Sequence, residues 1–233
     1  MKQLFVLHHL GFGDHIICNG AIRTLAKDWS QVFVFAKSNY QKGVARMFLD
    51  DPKISILSIP NVQYPNEAIG CALSFVRERN APNFLMLGYD KIGEGGMNFD
   101  EVFYACAGVP FENRWNEFKI NRNTLAEVAL LNKLNPNGEP YMFVHDDPSR
   151  GYNMDPPNPN NLKVIRNDPS VDMFDMCGML ESASEIHCME SSFRCLIEGL
   201  PNVKCPLYLH KKIRSEGQSN PVISIGRKNW IDV

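Results

Sequence analysis

The sequence predicts an α/β protein built of two domains, each a parallel sheet covered by helices, with the C-terminal one reduced. Three observations predict it. Short apolar runs alternate with longer segments whose apolar residues recur every three or four positions. A glycine-containing turn joins the first run to the first such segment. A turn-rich stretch, Asn132 to Pro140 (NKLNPNGEP), interrupts the alternation before it resumes. The boundary is therefore expected near residue 135, giving domains 1–135 and 136–233.

Gln3 to Leu7 (QLFVL) reads as a buried strand, because strands of parallel sheets are covered on both faces and need no polar alternation. Gly11 to Asp14 turn the chain. Ile16, Ile17, Ala21, Ile22 and Leu25 then keep helical spacing up to Trp29. Strand–helix pairs repeat with Gln31–Ala36 and Asn39–Leu49, then with Ile54–Ile59 and Glu67–Arg79. A fourth strand is expected at Phe84–Leu87 and a helix at Phe99–Ala107, stopped by Gly108 with Pro110 beyond it. Past the boundary, Tyr141–Val144 is a strand, and the proline-rich stretch from His145 to Asn161 is a long loop, a setting in which function often resides. Lys163–Arg166 is a strand, Val171–Ser182 a helix capped by Ser170, and Ile186–Met189 a strand. Ser191–Leu200 is a helix and Lys204–His210 a last strand.

Of 233 residues, 44% are hydrophobic and 21% charged, which excludes a disordered chain, a coiled coil and a collagen-like repeat. A formal net charge of -2 lacks the basic footprint of a protein that coats nucleic acid, so none is expected as a partner. No apolar segment has the length needed to span a bilayer, and the N-terminus lacks the apolar core of a signal peptide, so a cytoplasmic protein is expected. The seven cysteines, at 18, 71, 106, 177, 188, 195 and 205, are odd in number, scattered and without C-x-x-C spacing. Reduced thiols are expected. Between Lys204 and Val233, six Lys or Arg stand against two acids. That bias reads as a solvated face, or as a peripheral contact with an acidic membrane surface at the inner membrane face.

Four stretches could carry chemistry. In HHLGFGDH, Gly11 and Gly13 let a ligand approach the N-terminus of a helix, whose free N–H groups attract anions. The third glycine of the dinucleotide fingerprint is replaced by Ile16, which disfavours an NAD(P) site. Asp14 is either a helix-capping acid or a general base at the mouth of the sheet, with His15 beside it. His8, His9 and His15 could hold a metal, but adjacent strand histidines point to opposite faces. In IHCMESSFRC, Glu190 ends a strand where a ribose hydroxyl could be held. Ser191, Ser192 and Phe193 open a helix that could take a phosphate, or the serines are simple caps. In HDDPSRG, His145 and Arg150 form either a solvated loop or a counter-charge for a diphosphate. The fourth is the C-terminal basic bias.

In this order the pieces resemble bacterial glycosyltransferases of the ADP-heptose:lipopolysaccharide heptosyltransferase type, within the GT-B superfamily. The residues that carry the resemblance are LGFGDHIICNGAIRTLA from Leu10, NFDEVFYACAGVP from Asn98 to Pro110, and the strand–helix segment from Ser182 to Pro201. This sequence has Asn19-Gly20-Ala21 where the family usually has a proline before the alanine. It has Glu190-Ser191-Ser192-Phe193 where D-T-G-x-x-H is usual. The resemblance implies two facing Rossmann-like domains, the acceptor mainly on the first and the nucleotide-diphosphate sugar mainly on the second. It also implies Asp14 as the base that activates a saccharide or lipid-linked acceptor, and a metal-independent transfer of a hexosyl or heptosyl unit with no cofactor. A non-catalytic module that binds the same ligands stays open as an alternative, and an NAD(P)-type enzyme is a weaker one.

Overall fold

The structure is a computed structural model and describes residues 2–81, 83–89, 97–211 and 224–233. The chain divides into two compact units, Met1–Asn121 and Arg122–Val233.

The first unit holds β1 (Gln3–Leu7), β2 (Gln31–Lys37), β3 (Ile54–Ile59) and β4 (Phe84–Met86), all parallel, in the order β3-β2-β1-β4. Central β1 explains its own sequence: Leu4 to Leu7 are all buried between neighbouring strands and helices. Phe5 stacks on Phe33 at 4.8 Å, and Phe35 meets Phe75 edge-on at 5.5 Å. Each such buried side chain contributes about 1.5–3 kcal/mol through area removed from water.

The expected 16–29 helix is two helices, α1 (Phe12–Ile17) and α2 (Asn19–Asp28), broken at Cys18. The first starts earlier than the apolar spacing suggests, because Gly11 caps it and Asp14 occupies its third position. The second approaches α6 (Asn113–Asn116) closely: a Cβ on Gly20 would stand 1.9 Å from the Asn113 carbonyl oxygen. Asn19 and Arg23 both donate to the Lys119 carbonyl, and Arg23 also pairs with Asp50. The remaining helices are α3 (Gln41–Met47), α4 (Pro65–Glu78) and α5 (Phe99–Ala107). Glu67 in the first turn of α4 accepts from the Gln63 and Tyr64 N–H groups, which starts that helix two residues before Glu67. Gly108, at φ 66°, ends α5 in the left-handed conformation expected of it. Under α5, Asp100 and Arg114 form a fully buried ion pair.

The second unit holds α7 (Thr124–Leu134), β5 (Tyr141–His145), β6 (Lys163–Arg166), α8 (Cys177–Ser182), β7 (Glu185–Cys188), α9 (Ser192–Gly199), β8 (Leu207–Leu209) and β9 (Trp230–Asp232). Its five strands are parallel in the order β6-β5-β7-β8-β9. Its smaller size lies in the helical cover, three α-helices against six among the described residues, and not in the strands.

The turn-rich stretch at 132–140 is present, but the compact units meet before it, because α7 belongs with the second. Arg122 holds Glu127 of α7 and Glu181 of α8 at once, the latter at 2.6 Å. The helix expected from Val171 to Ser182 is a 3₁₀ turn, Met173–Met176, followed by α8. Its cap is the Asp172 side chain, which accepts from the Phe174 N–H, and not Ser170, which is turned back onto Asp168.

All seven cysteines are free, and four are buried. No helix among the described residues is long and apolar enough to cross a membrane. Of the C-terminal basic residues, Lys211 pairs with Asp232 and Lys228 donates to the Val203 carbonyl, whereas Lys212 and Arg214 lie outside the described residues.

Candidate functional site

In the first unit, the candidate residues gather at the carboxyl ends of the strands, where ligands of open α/β sheets bind. The Gly11 N–H donates to Asp14 Oδ2 at 3.2 Å, and a Cβ on Gly11 would stand 2.7 Å from that oxygen. Glycine at this position thus admits the carboxylate. The capping role of Asp14 is present in the geometry, and the carboxylate remains partly exposed. Gly13 lies one residue before it in the first turn of α1.

His15 faces the interior. It is 2% exposed, its ring meets His8 edge-on at 4.3 Å, and neither of its ring nitrogens has a hydrogen-bond partner among the described residues. Burial, with the neighbouring His8, holds His15 well below the usual histidine range, and burial lowers His8 to about 4. Both rings are neutral at physiological pH. Among the described residues no group of three His, Cys, Asp or Glu side chains could hold a metal ion.

A cavity of about 490 Å³ opens beside the glycine turn. His9 and Gly11 line it from the turn after β1, Lys37 from the end of β2, Tyr64 and Asn66 from the start of α4, and Tyr89 from beyond β4. The ring of His9 packs edge-on against Tyr89 at 5.0 Å, and the Tyr89 hydroxyl donates to the His8 carbonyl at 3.0 Å. Burial first, and then the charge of Asp14, push the Tyr89 phenol up to about 12, so it stays a proton donor. Of these, His9 is read from the sequence only as a possible metal ligand, and Lys37, Tyr64 and Tyr89 are absent from the sequence reading. All four lie within five residues of the carboxyl ends of four separate strands, so marking the loops that follow each strand would have drawn attention to them.

In the second unit, β5 and β7 are adjacent, which brings His145 beside the start of α9. The His145 ring stacks on Phe193 with centroids 4.2 Å apart and planes at 26°. It is 6% exposed, and burial lowers it to about 4 despite Asn167, Asp146 and Asp147 nearby, so it too is neutral. Ser191 is the N-cap of α9: its hydroxyl accepts from the Phe193 N–H at 3.2 Å. Ser192 is the first residue of α9 and is partly exposed. Glu190 pairs with Arg194 at 3.1 Å and accepts from the Ser224 hydroxyl at 3.2 Å.

Arg150 is exposed in a 3₁₀ turn and donates to Asp147 at 2.5 Å. The long loop is anchored by Asp146, which accepts from Arg166 at 2.5 Å and from the Met154 N–H at 3.1 Å. Arg194 and Ser224 were not anticipated; one lies inside an apolar helix and the other far along the chain.

The sequence matches no protein-family model and no curated protein sequence. Solved structures do match. A glycosyltransferase of family 9 from Veillonella parvula superposes with a TM-score of 0.63 over 100% of this chain and 86% of its own, at 10% identity. The ADP-heptose LPS heptosyltransferase II of E. coli does so with a TM-score of 0.61 over 100% of this chain and 90% of its own, at 12% identity. This chain has the heptosyltransferase fold. The likeness extends to the dodecameric iron-containing heptosyltransferase TibC, solved with ADP-D-beta-D-heptose. There the TM-score is 0.51 over 90% of this chain and 58% of that one, at 11% identity. The α/β architecture of two Rossmann-like units, expected from the motif resemblance, is the architecture observed.

Proposed function

We propose that this protein is a glycosyltransferase that moves a sugar from a nucleotide-diphosphate donor to a saccharide or lipid-linked acceptor. The acceptor would sit on the first unit and the nucleotide sugar on the second. The observation that carries the reading is the placement of Asp14. Its carboxylate is partly exposed at the carboxyl end of the first sheet and is one hydrogen bond from Gly11, which lines a cavity of about 490 Å³. The shared fold supports it, since two of the structures this chain resembles are heptosyltransferases.

The chemistry follows from these groups. Asp14 takes the proton of an acceptor hydroxyl as that oxygen attacks the anomeric carbon. The bond from that carbon to the diphosphate breaks, and the nucleoside diphosphate leaves. A carboxylate in this role is worth roughly 10²–10⁴-fold in rate. Negative charge growing on the leaving group is met by the N–H groups at the start of α9 and by Arg150. Nothing in this scheme draws on a metal, and full activity in EDTA is its corollary.

Asp14→Asn is the decisive variant, because the amide oxygen still accepts from the Gly11 N–H while the base is lost. Donor turnover, read as hydrolysis of ADP-, GDP- and UDP-sugars, should fall at least a hundredfold. The melting temperature, and its rise on adding nucleotide, should hold. Near-normal turnover removes Asp14 from the role. Nucleotide-induced stabilisation with no turnover in the parent protein supports a binding module, which the capping work of Asp14 favours as the second reading.

A further inference from the structure

We propose that Arg194 and Ser224 are positioning residues for Glu190, so that nucleotide binding at the second sheet depends on a segment more than thirty residues further along the chain. The inference rests on the nucleotide-sugar reading of that site.

Glu190 follows β7 and precedes the cap of α9, and it is partly exposed. Behind it the supports are buried: Arg194 is 3% exposed and Ser224 2%. Arg194 Nη1 reaches Glu190 Oε2 at 3.1 Å and donates to the Ser224 carbonyl at 2.8 Å and the Ser224 hydroxyl at 2.5 Å. The guanidinium also lies over the Trp230 ring, 5.5 Å from its centroid, and a Cβ on Gly226 would stand 3.0 Å from Nη2. Segment 224–230 therefore fixes the arginine from one side while α9 holds it from the other.

The hydroxyl of Ser224 has a single proton to give. An arginine can only donate, so the hydroxyl accepts from Arg194 and must aim its own proton elsewhere. Glu190 Oε1 lies 3.2 Å away and takes it. The donors thus converge on the carboxylate, Arg194 directly and Ser224 through its hydroxyl proton, and together they fix the rotamer of the one partly exposed member. Charge-assisted bonds of this kind are short and directional. A carboxylate held in one rotamer at a strand end is the group that receives a ribose hydroxyl in dinucleotide-binding sheets.

The test compares Ser224→Ala, Ser224→Thr and the parent, full-length and without tags. Each is titrated with ADP, GDP and UDP and with their 2′-deoxy counterparts. The parent should prefer the ribonucleotide about tenfold, the value of one hydrogen bond to a charged group. Ser224→Ala should lose most of that preference while its 2′-deoxy affinity holds, and Ser224→Thr should restore it. A purely structural role would weaken both ligands equally, and that result, or an unchanged preference, overturns the proposal. A second readout needs no ligand. The Arg194 guanidinium signals in nuclear magnetic resonance should be resolved in the parent and in Ser224→Thr, and averaged in Ser224→Ala. Averaging in all three overturns the positioning role. If none of the nucleotides binds the parent, the nucleotide-sugar reading fails, while these signals still decide whether Ser224 locks Arg194.

Discussion

Replacing Glu198 by alanine should loosen the whole trailing edge of the second sheet. Glu198 lies in the last turn of α9 and is 4% exposed. A carboxylate at a helix C-terminus faces the negative end of the macrodipole and is unfavourable there by itself. It is held by three donors from one segment: the Arg227 N–H at 2.7 Å, the Lys228 N–H at 3.2 Å and the Trp230 indole N–H at 2.5 Å. Hydrogen bonds to a charged group are worth about 1.5–3 kcal/mol each. Water can reach Arg227 and partly Lys228, so the full sum is not lost, and a cost of about 3 kcal/mol is expected. For a unit of this size that lowers the melting temperature by roughly 10 °C. Glu198→Gln keeps one acceptor oxygen but turns an amide donor toward another donor, and should cost about half as much. Gly226→Ala attacks the same contact from the other side, since its Cβ would stand 2.6 Å from Glu198 Oε1. Thermal melts read the stability, and hydrogen exchange reads the β9 amides. A Glu198→Ala protein that melts within about 1 °C of the parent, with β9 amides exchanging no faster, would refute the reasoning.

Two further outcomes are expected on stability. His8 and His145 are both held near 4 by burial, whereas in the unfolded chain they titrate near 6.5. The unfolded state then binds more protons between those values, so stability is full above pH 6.5 and is lost as pH falls toward 4. At pH 5.5 each histidine costs about 1.4 kcal/mol, and the denaturation midpoint in urea should drop between pH 7.5 and 5.5; a flat profile contradicts the burial argument. The Asp100–Arg114 pair is buried on both sides, so Asp100→Asn strands a guanidinium and should cost about 3–5 kcal/mol. Urea unfolding checks this, and a loss under 1 kcal/mol would mean that water or another acceptor serves Arg114.

Sequence pattern exposes β1, β2 and β5 because parallel strands buried on both faces leave apolar runs with turns at each end, and it finds β3, β6 and β7 as short apolar cores between turns. It hides α7 because that helix carries Leu125 at 83% and Val128 at 57% exposure, so apolar residues surround it and no single stripe marks a buried face. A four-residue helix such as α6 has no period to detect; it exists because Asn113 and Arg114 pack on α2 and α5. Strand β9 is three residues long with Ile231 half exposed, and only its pairing with β8 reveals it. The Ser170 error has a similar root: two residues with capping side chains stand two positions apart, and the Asp172 carboxylate wins the first turn. For the candidate site, the glycine turn announces Gly11 and Asp14 because the geometry is local. Lys37, Tyr64 and Tyr89 meet only after four strands have been set side by side.

The placement of β9 has a temporal consequence. Among the described residues the first unit draws its four strands from residues 3–86, so that sheet can close while the rest of the chain is still being synthesised. The second cannot. Its outermost strand, the acceptors' donors around Glu198 and the hydroxyl beside Arg194 all arrive after residue 223. Until then the buried Glu198 lacks its three donors, and Arg194 has Glu190 but not Ser224. Stalled or truncated translation would therefore leave a closed first unit tethered to an open, sticky second one, and quality control in the cell would meet the half-made protein at its carboxyl side.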